Sequence, residues 1–166
     1  TYFDLSTLDA KAEAFAARLL PWIGDDRWYR AMLVEALTAM AADPLTVLPW
    51  RMQPGRLVQG IALVEAGGGS AMLALIAAEE LAGQGDGGQR LLFDCGYSLV
   101  AVVAGALKVE RWRLDRAAGR VALVGAQHVA VGDWLACDNR NEQILIRAVE
   151  RDAVVLTLSV RGPGTG

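Results

Sequence analysis

From residue 89 to residue 160 the sequence divides into short β-rich runs separated by polar turns. That density of strands confines the chain to a sandwich or a closed barrel. The runs fall at 89–95, 97–104, 106–114, 119–124, 127–131, 133–137, 142–149 and 153–160. Turn signals lie at Ala117-Ala118-Gly119, at Gly132-Asp133 and from Asp138 to Asn141. Upstream, Gly55 to Ala66 and Ser70 to Ala77 are joined by Gly67-Gly68-Gly69, a hairpin signal. Thr46 to Met52 is a candidate edge strand, with Pro49 marking an edge or a bulge. Glu79 and Glu80 are neighbours on this extended pattern, so they are expected on opposite faces and not as an acid–base pair.

Residues 1–43 carry a different period. Ser6 and Asp9 form a capping-box pattern, and Leu5, Leu8, Ala12, Phe15 and Leu19 then recur at helical spacing. Pro21 and Gly24 are expected to end that helix. Asp25 or Asp26 is placed to cap a second helix, with Trp28, Met32, Leu33, Leu37 and Met40 on its apolar face. Such a face packs on the protein's own sheet or receives a partner helix, and the first is its ordinary fate. The sequence thus predicts one domain, a helical segment over 1–43 packed on a β-barrel over 45–163.

Composition closes off several classes of function. The 166 residues are enough for one real core. The net charge of −3 comes with no basic block, which argues against nucleic acid as a partner. Hydrophobic residues make up 54%, much of it alanine and valine, yet no apolar run approaches the ~18 residues of a membrane span. The N-terminal residues lack the basic-then-apolar pattern of a secretory signal. The two cysteines, Cys95 and Cys137, do not form a disulfide framework. A reduced cytoplasm is therefore expected. Arginine, alanine and glycine abundance points to a GC-rich bacterial genome.

The stretch Leu92-Phe93-Asp94-Cys95-Gly96-Tyr97, followed by Ser98 to Gly105 and Ala106 to Arg113, resembles the metal-binding segment of the cupins, and in particular of thiol dioxygenases of the cysteine dioxygenase type. In that family the segment reads His-Asp-His-Gly, then a strand, then a glycine that opens the next strand. Asp94, Gly96 and Gly105 stand in place here, and Glu110 and Trp112 follow. Gly132-Asp133 matches the turn, Asp138 lies five residues before Gln143, and Gly162-Pro163 matches the family's end. The resemblance covers roughly residues 56–163 and implies a cupin or jelly-roll barrel, mainly β, preceded by two α-helices.

The departures from the family fall on its chemistry. The family holds ferrous iron with three imidazoles; the matching positions here are Phe93, Cys95 and Gln143. A benzyl ring donates nothing to a metal, and an amide is a weak ligand. The resemblance also places Ile61 where the family keeps a carboxylate-binding arginine. His128 is the only histidine, and one histidine makes no multi-histidine site. Cys95 and Cys137 read as buried, inert thiols, since no cation or helix start lies beside them to favour the thiolate. Arg56 and Arg90 are the cations available to hold an anion at the barrel mouth.

Two functions follow. The first is a non-catalytic barrel without a cofactor, lined by Phe93, Cys95, Leu145 and similar groups, that binds a small molecule or serves assembly, with a homodimer implied by the resemblance. The five tryptophans, Trp22, Trp28, Trp50, Trp112 and Trp134, are interface candidates or core residues. The second is a dioxygenase-like or other metalloenzyme with a rebuilt site: Cys95, Gln143 and a carboxylate from Asp94, Asp138 or Glu142.

Overall fold

The computed structural model describes residues 10–48, 50–53, 58–66, 69–83, 93 and 96–161. Two helices come first, α1 (Ala10–Gly24) and α2 (Arg27–Ala42). The strands β1 (Arg51–Gln53), β2 (Val58–Ala66) and β3 (Gly69–Ile76) follow, then a short helix α3 (Ala78–Gly83). Six strands complete the chain: β4 (Gly96–Ala104), β5 (Ala106–Asp115), β6 (Arg120–Ala130), β7 (Trp134–Asp138), β8 (Glu142–Val149) and β9 (Ala153–Arg161).

The strands form a six-stranded sheet in the order β1-β2-β3-β9-β4-β7 and a three-stranded sheet in the order β6-β5-β8, with every pair antiparallel. Consecutive strands change sheet at β4–β5, β6–β7, β7–β8 and β8–β9. The order β3-β9-β4-β7 facing β8-β5-β6 is jelly-roll connectivity, two interlocked Greek keys. The expected mainly-β class behind two helices is therefore what the chain adopts.

Each face of the six-stranded sheet carries a buried cluster. One face, with Leu63, Ala71, Leu99, Leu156 and Leu158, packs on Ala16 of α1 and Tyr29 of α2. The other, with Ala74, Ile76, Val102, Leu135 and Val155, packs on Leu107, Val109 and Val129 of the three-stranded sheet. This is why SLVAVVA and AVVLTLSV read as nearly continuous apolar runs: neither face needs to be wet. The three-stranded sheet keeps an open outer face, and residues 120–126 of β6 are all exposed.

Several expectations are corrected. Pro21 lies inside α1, which runs on to Gly24. Only one hydrogen bond is lost there, because the pyrrolidine nitrogen has no proton to give. The buried face of α2 is Tyr29, Leu33 and Ala36, whereas Leu37 and Met40 are exposed. Asp25, not Asp26, supplies the cap-like bond, its Oδ1 accepting from the Arg27 amide at 3.1 Å. The expected edge strand over 46–52 shrinks to Arg51–Gln53. Residues 119–124 and 127–131 are one continuous strand, β6, with Val124 bulged where Arg111 and Trp112 pair Gly125 and Leu123. Glu79 and Glu80 sit in the first turn of α3, not on a strand. Phe93 lies outside any strand.

Three of the five tryptophans, Trp28, Trp50 and Trp134, pack against the helix-side core. Trp112 is half-buried on the outer sheet, and Trp22 is exposed. Ser6, Asp9 and Pro49 lie outside the described residues.

Candidate functional site

The jelly roll leaves a cavity of about 200 Å³ between its sheets. Alternation along β4, β5 and β9 puts Val100, Leu107, Val109 and Val155 on its wall, and Ile144 and Ile146 of β8 close it. Polar groups enter from Ser98, Asn139, Gln143 and Thr157, and sulfur from Met72 and Cys137. Ser98 Oγ donates to Asn139 Oδ1 at 3.0 Å. Among the described residues, the side chains of Gln143 and Thr157 have no hydrogen-bond partner. The described wall therefore offers a hydroxyl and an amide, both uncharged, in an otherwise apolar room.

Beside this cavity lies a charged layer. Arg111 is 3% exposed; its Nη1 donates to Glu142 Oε2 at 2.9 Å and its Nη2 to the Ala136 carbonyl at 2.8 Å. Arg113 binds the other oxygen, Glu142 Oε1, at 3.0 Å and 2.5 Å. Burial pulls the Arg111 guanidinium below its ordinary pKa, and Glu142 opposes that shift. Asp138 accepts from Arg140 at 2.8 Å and from Asn141 at 3.0 Å. Burial raises the Asp138 carboxyl, but those hydrogen bonds outweigh it, and the group lies below the usual carboxylate range. Arg140 also donates to Tyr97 Oη and stands 4.8 Å from the centre of that ring.

Among the residues singled out in the sequence, Gln143 lines the cavity and Phe93, although half-buried, does not. Leu145 is buried but is also absent from the wall, where its neighbours Ile144 and Ile146 stand; this overturns the interior position expected for it. Ile61 packs on the helix-side cluster, away from the cavity. Cys137 is buried and donates to the Glu142 carbonyl at 3.3 Å. His128 is exposed on β6, opposite Lys108. Asp94, Cys95, Arg56 and Arg90 lie outside the described residues.

Two features escaped the sequence reading. Arg111 follows Leu107 and Val109 at strand spacing, so the alternation that marks an inward face marks it as well. Thr157 occupies the same kind of position after Val155 on β9.

The residues present do not fit the iron centre that the family resemblance implies. Phe93 has no donor atom, and Gln143 offers only an amide. Glu142 and Asp138, the described carboxylates of a rebuilt site, are each already held by guanidinium groups. Among the described residues no three His, Cys, Asp or Glu side chains gather as a metal site. Nor, among them, is any helix long and apolar enough to cross a membrane.

The class defined by this architecture is a jelly-roll barrel whose described cavity wall is apolar with uncharged polar groups. No protein-family model matches the chain, and no curated protein does. Solved structures similar in outline include the cupin domain of Cnp3 from Schizosaccharomyces pombe, at 7% identity and TM-score 0.48, covering 72% of this chain and 71% of that one. KdgF from a Halomonas species aligns at 14% identity and TM-score 0.46, over 69% of this chain and 88% of its own. Ectoine synthase from P. lautus aligns at 13% identity and TM-score 0.45, over 66% and 68%. The fold assignment rests on the strand order described above.

Proposed function

We propose that this chain is a cupin-like jelly-roll protein that binds a small uncharged molecule between its sheets and carries out no metal chemistry there. The cavity wall carries the proposal. Its apolar side chains favour an apolar body, and the Gln143 amide and the Thr157 hydroxyl are left to bond one polar end. A charged ligand would lose its hydration without a described opposite charge on the wall. The resemblance to cysteine dioxygenase-like barrels fits the same reading, since the positions matching that family's three ligands hold Phe93, Cys95 and Gln143.

The test is a thermal-shift and calorimetric screen of short-chain amides and alcohols against protein dialysed with and without a chelator. A stabilising ligand is expected in both preparations, weakened by Thr157→Val, which removes the hydroxyl and keeps the shape. Stoichiometric iron, nickel, zinc or manganese lost on Cys95→Ser would instead establish the rebuilt metalloenzyme site.

The homodimer implied by the resemblance would form along β6. Among the described strands it is one of the two edges of its sheet, and it has no charged residue from Val121 to Gln127. Sedimentation velocity checks this: Leu123→Lys is expected to leave only monomer.

A further inference from the structure

We propose that the groove between the α1–α2 turn and the Gly132-Asp133 turn is a second binding site, which takes a small organic ammonium ion with an apolar body. The groove measures about 460 Å³ and shares no lining residue with the inter-sheet cavity. Leu20 and Ile23 give it an apolar wall, and Trp134 adds a half-buried indole.

Tyr29 carries the first argument. It is 6% exposed, its ring is packed edge-on to Trp28 at 5.2 Å, and the residue lines the groove. Among the described residues its hydroxyl has no hydrogen-bond partner, and it is not sealed in the core: it is open to solvent on a residue that lines the groove, where a ligand can replace water. Burial first, and then the nearby Asp26, push the phenol's pKa up, so it stays neutral and can accept as well as donate.

Charge carries the second. Asp133 uses Oδ2 to cap the Ala130 amide at 2.9 Å, and its Oδ1 has no hydrogen-bond partner among the described residues. Asp26 is matched by Arg30, which donates to it through Nε and Nη2. The described charges of the lining, Asp26, Arg30 and Asp133, thus sum to one negative. An ammonium group answers all of these together. It donates to Asp133 Oδ1 and Tyr29 Oη, it lies beside aromatic rings that attract cations, and its apolar body covers Leu20 and Ile23. A carboxylate in the same place would meet a lining whose described charges are net negative.

Isothermal titration of the full chain at pH 7 with 2-phenylethylammonium, 2-phenylethanol and 3-phenylpropionate tests the site. The ammonium ion is expected to bind about tenfold or more tightly than the alcohol, as a charge-assisted hydrogen bond implies. Asp133→Asn keeps an oxygen to cap Ala130 and removes the charge; it is expected to weaken the ammonium ion about tenfold. Tyr29→Phe is expected to weaken it about threefold to tenfold. The site is refuted if the carboxylate binds as tightly as the ammonium ion. It is equally refuted by an unchanged affinity in Asp133→Asn, or by no binding of the ammonium ion at millimolar concentration.

Discussion

Glu142 answers two guanidinium groups from a position where it is 3% exposed. A buried charge is tolerable only while it is paired, and stripping one partner exposes the rest to the full desolvation penalty. Glu142→Gln is therefore expected to cost about 3–5 kcal/mol in urea unfolding. Arg111→Met together with Glu142→Leu is expected to cost less than the sum of the single changes, because the buried charge and its partner leave together. Asp138 offers a pH-dependent counterpart. Its carboxyl lies below the usual range in the folded protein, so the charged form favours folding. That contribution is present above the unfolded carboxyl's pKa, roughly 3.9, and is lost as pH falls through the lower folded value. Asp138→Asn should accordingly be less stable than the parent at pH 7, with the gap closing as pH falls toward 2 in acid titrations followed by circular dichroism. Arg111 was legible in principle at this scale, since it shares the alternation of Leu107 and Val109. Its partner was not. Nothing local in Glu142-Gln143-Ile144 says that Glu142 meets a strand about thirty residues earlier, because register across a sheet is a non-local property.

Gly105 is the hinge of one element pair. It is the single residue between β4 in one sheet and β5 in the other, and its φ is +80°. A side chain there would meet Ala153 Cβ at 3.0 Å and the Asp152 carbonyl at 3.1 Å, a backbone contact that cannot swing aside. Gly105→Ala therefore combines left-handed strain with a clash and is expected to cost about 1–3 kcal/mol or more. Gly119 also has a positive φ, of +61°, but a Cβ there meets nothing within 4 Å. Gly119→Ala should be milder, and comparing the two unfolding midpoints separates strain from crowding. The sequence did show Gly105 as the start of a strand. It did not show β6 whole, because Gly125 looks like a break, whereas in the structure it stands beside the bulged Val124 and the strand continues. α3 was missed for a related reason: six residues are too few to display a helical period.

At the scale of the molecule, the helices are part of the fold's construction and do not decorate a barrel already complete. The outer face of the six-stranded sheet buries Leu99, Leu156 and Leu158 to 6% exposure or less, and it does so under α1 and α2. The apolar runs of β4 and β9 were visible in the sequence as strands, but alternation alone could not say which face met the other sheet. Only the second apolar layer, supplied by Phe15, Leu19, Ile23 and Leu33, explains why both faces are hydrophobic. Removing residues 1–43 would leave that face open to water, a contiguous apolar surface of the kind that drives association. The shortened chain is expected to bind a hydrophobic dye, to lose its near-ultraviolet circular dichroism and to elute from a sizing column as aggregate. Leu33→Ala probes the same contact gently. It trims one half-buried leucine from α2 and should lower stability by about 1–3 kcal/mol while leaving the chain folded, since the site is not fully enclosed and can partly collapse. A shortened chain that stayed monomeric with an intact near-ultraviolet spectrum would mean that the barrel closes its own core. In that case the double burial of β4 and β9 would have to arise from something other than the helices.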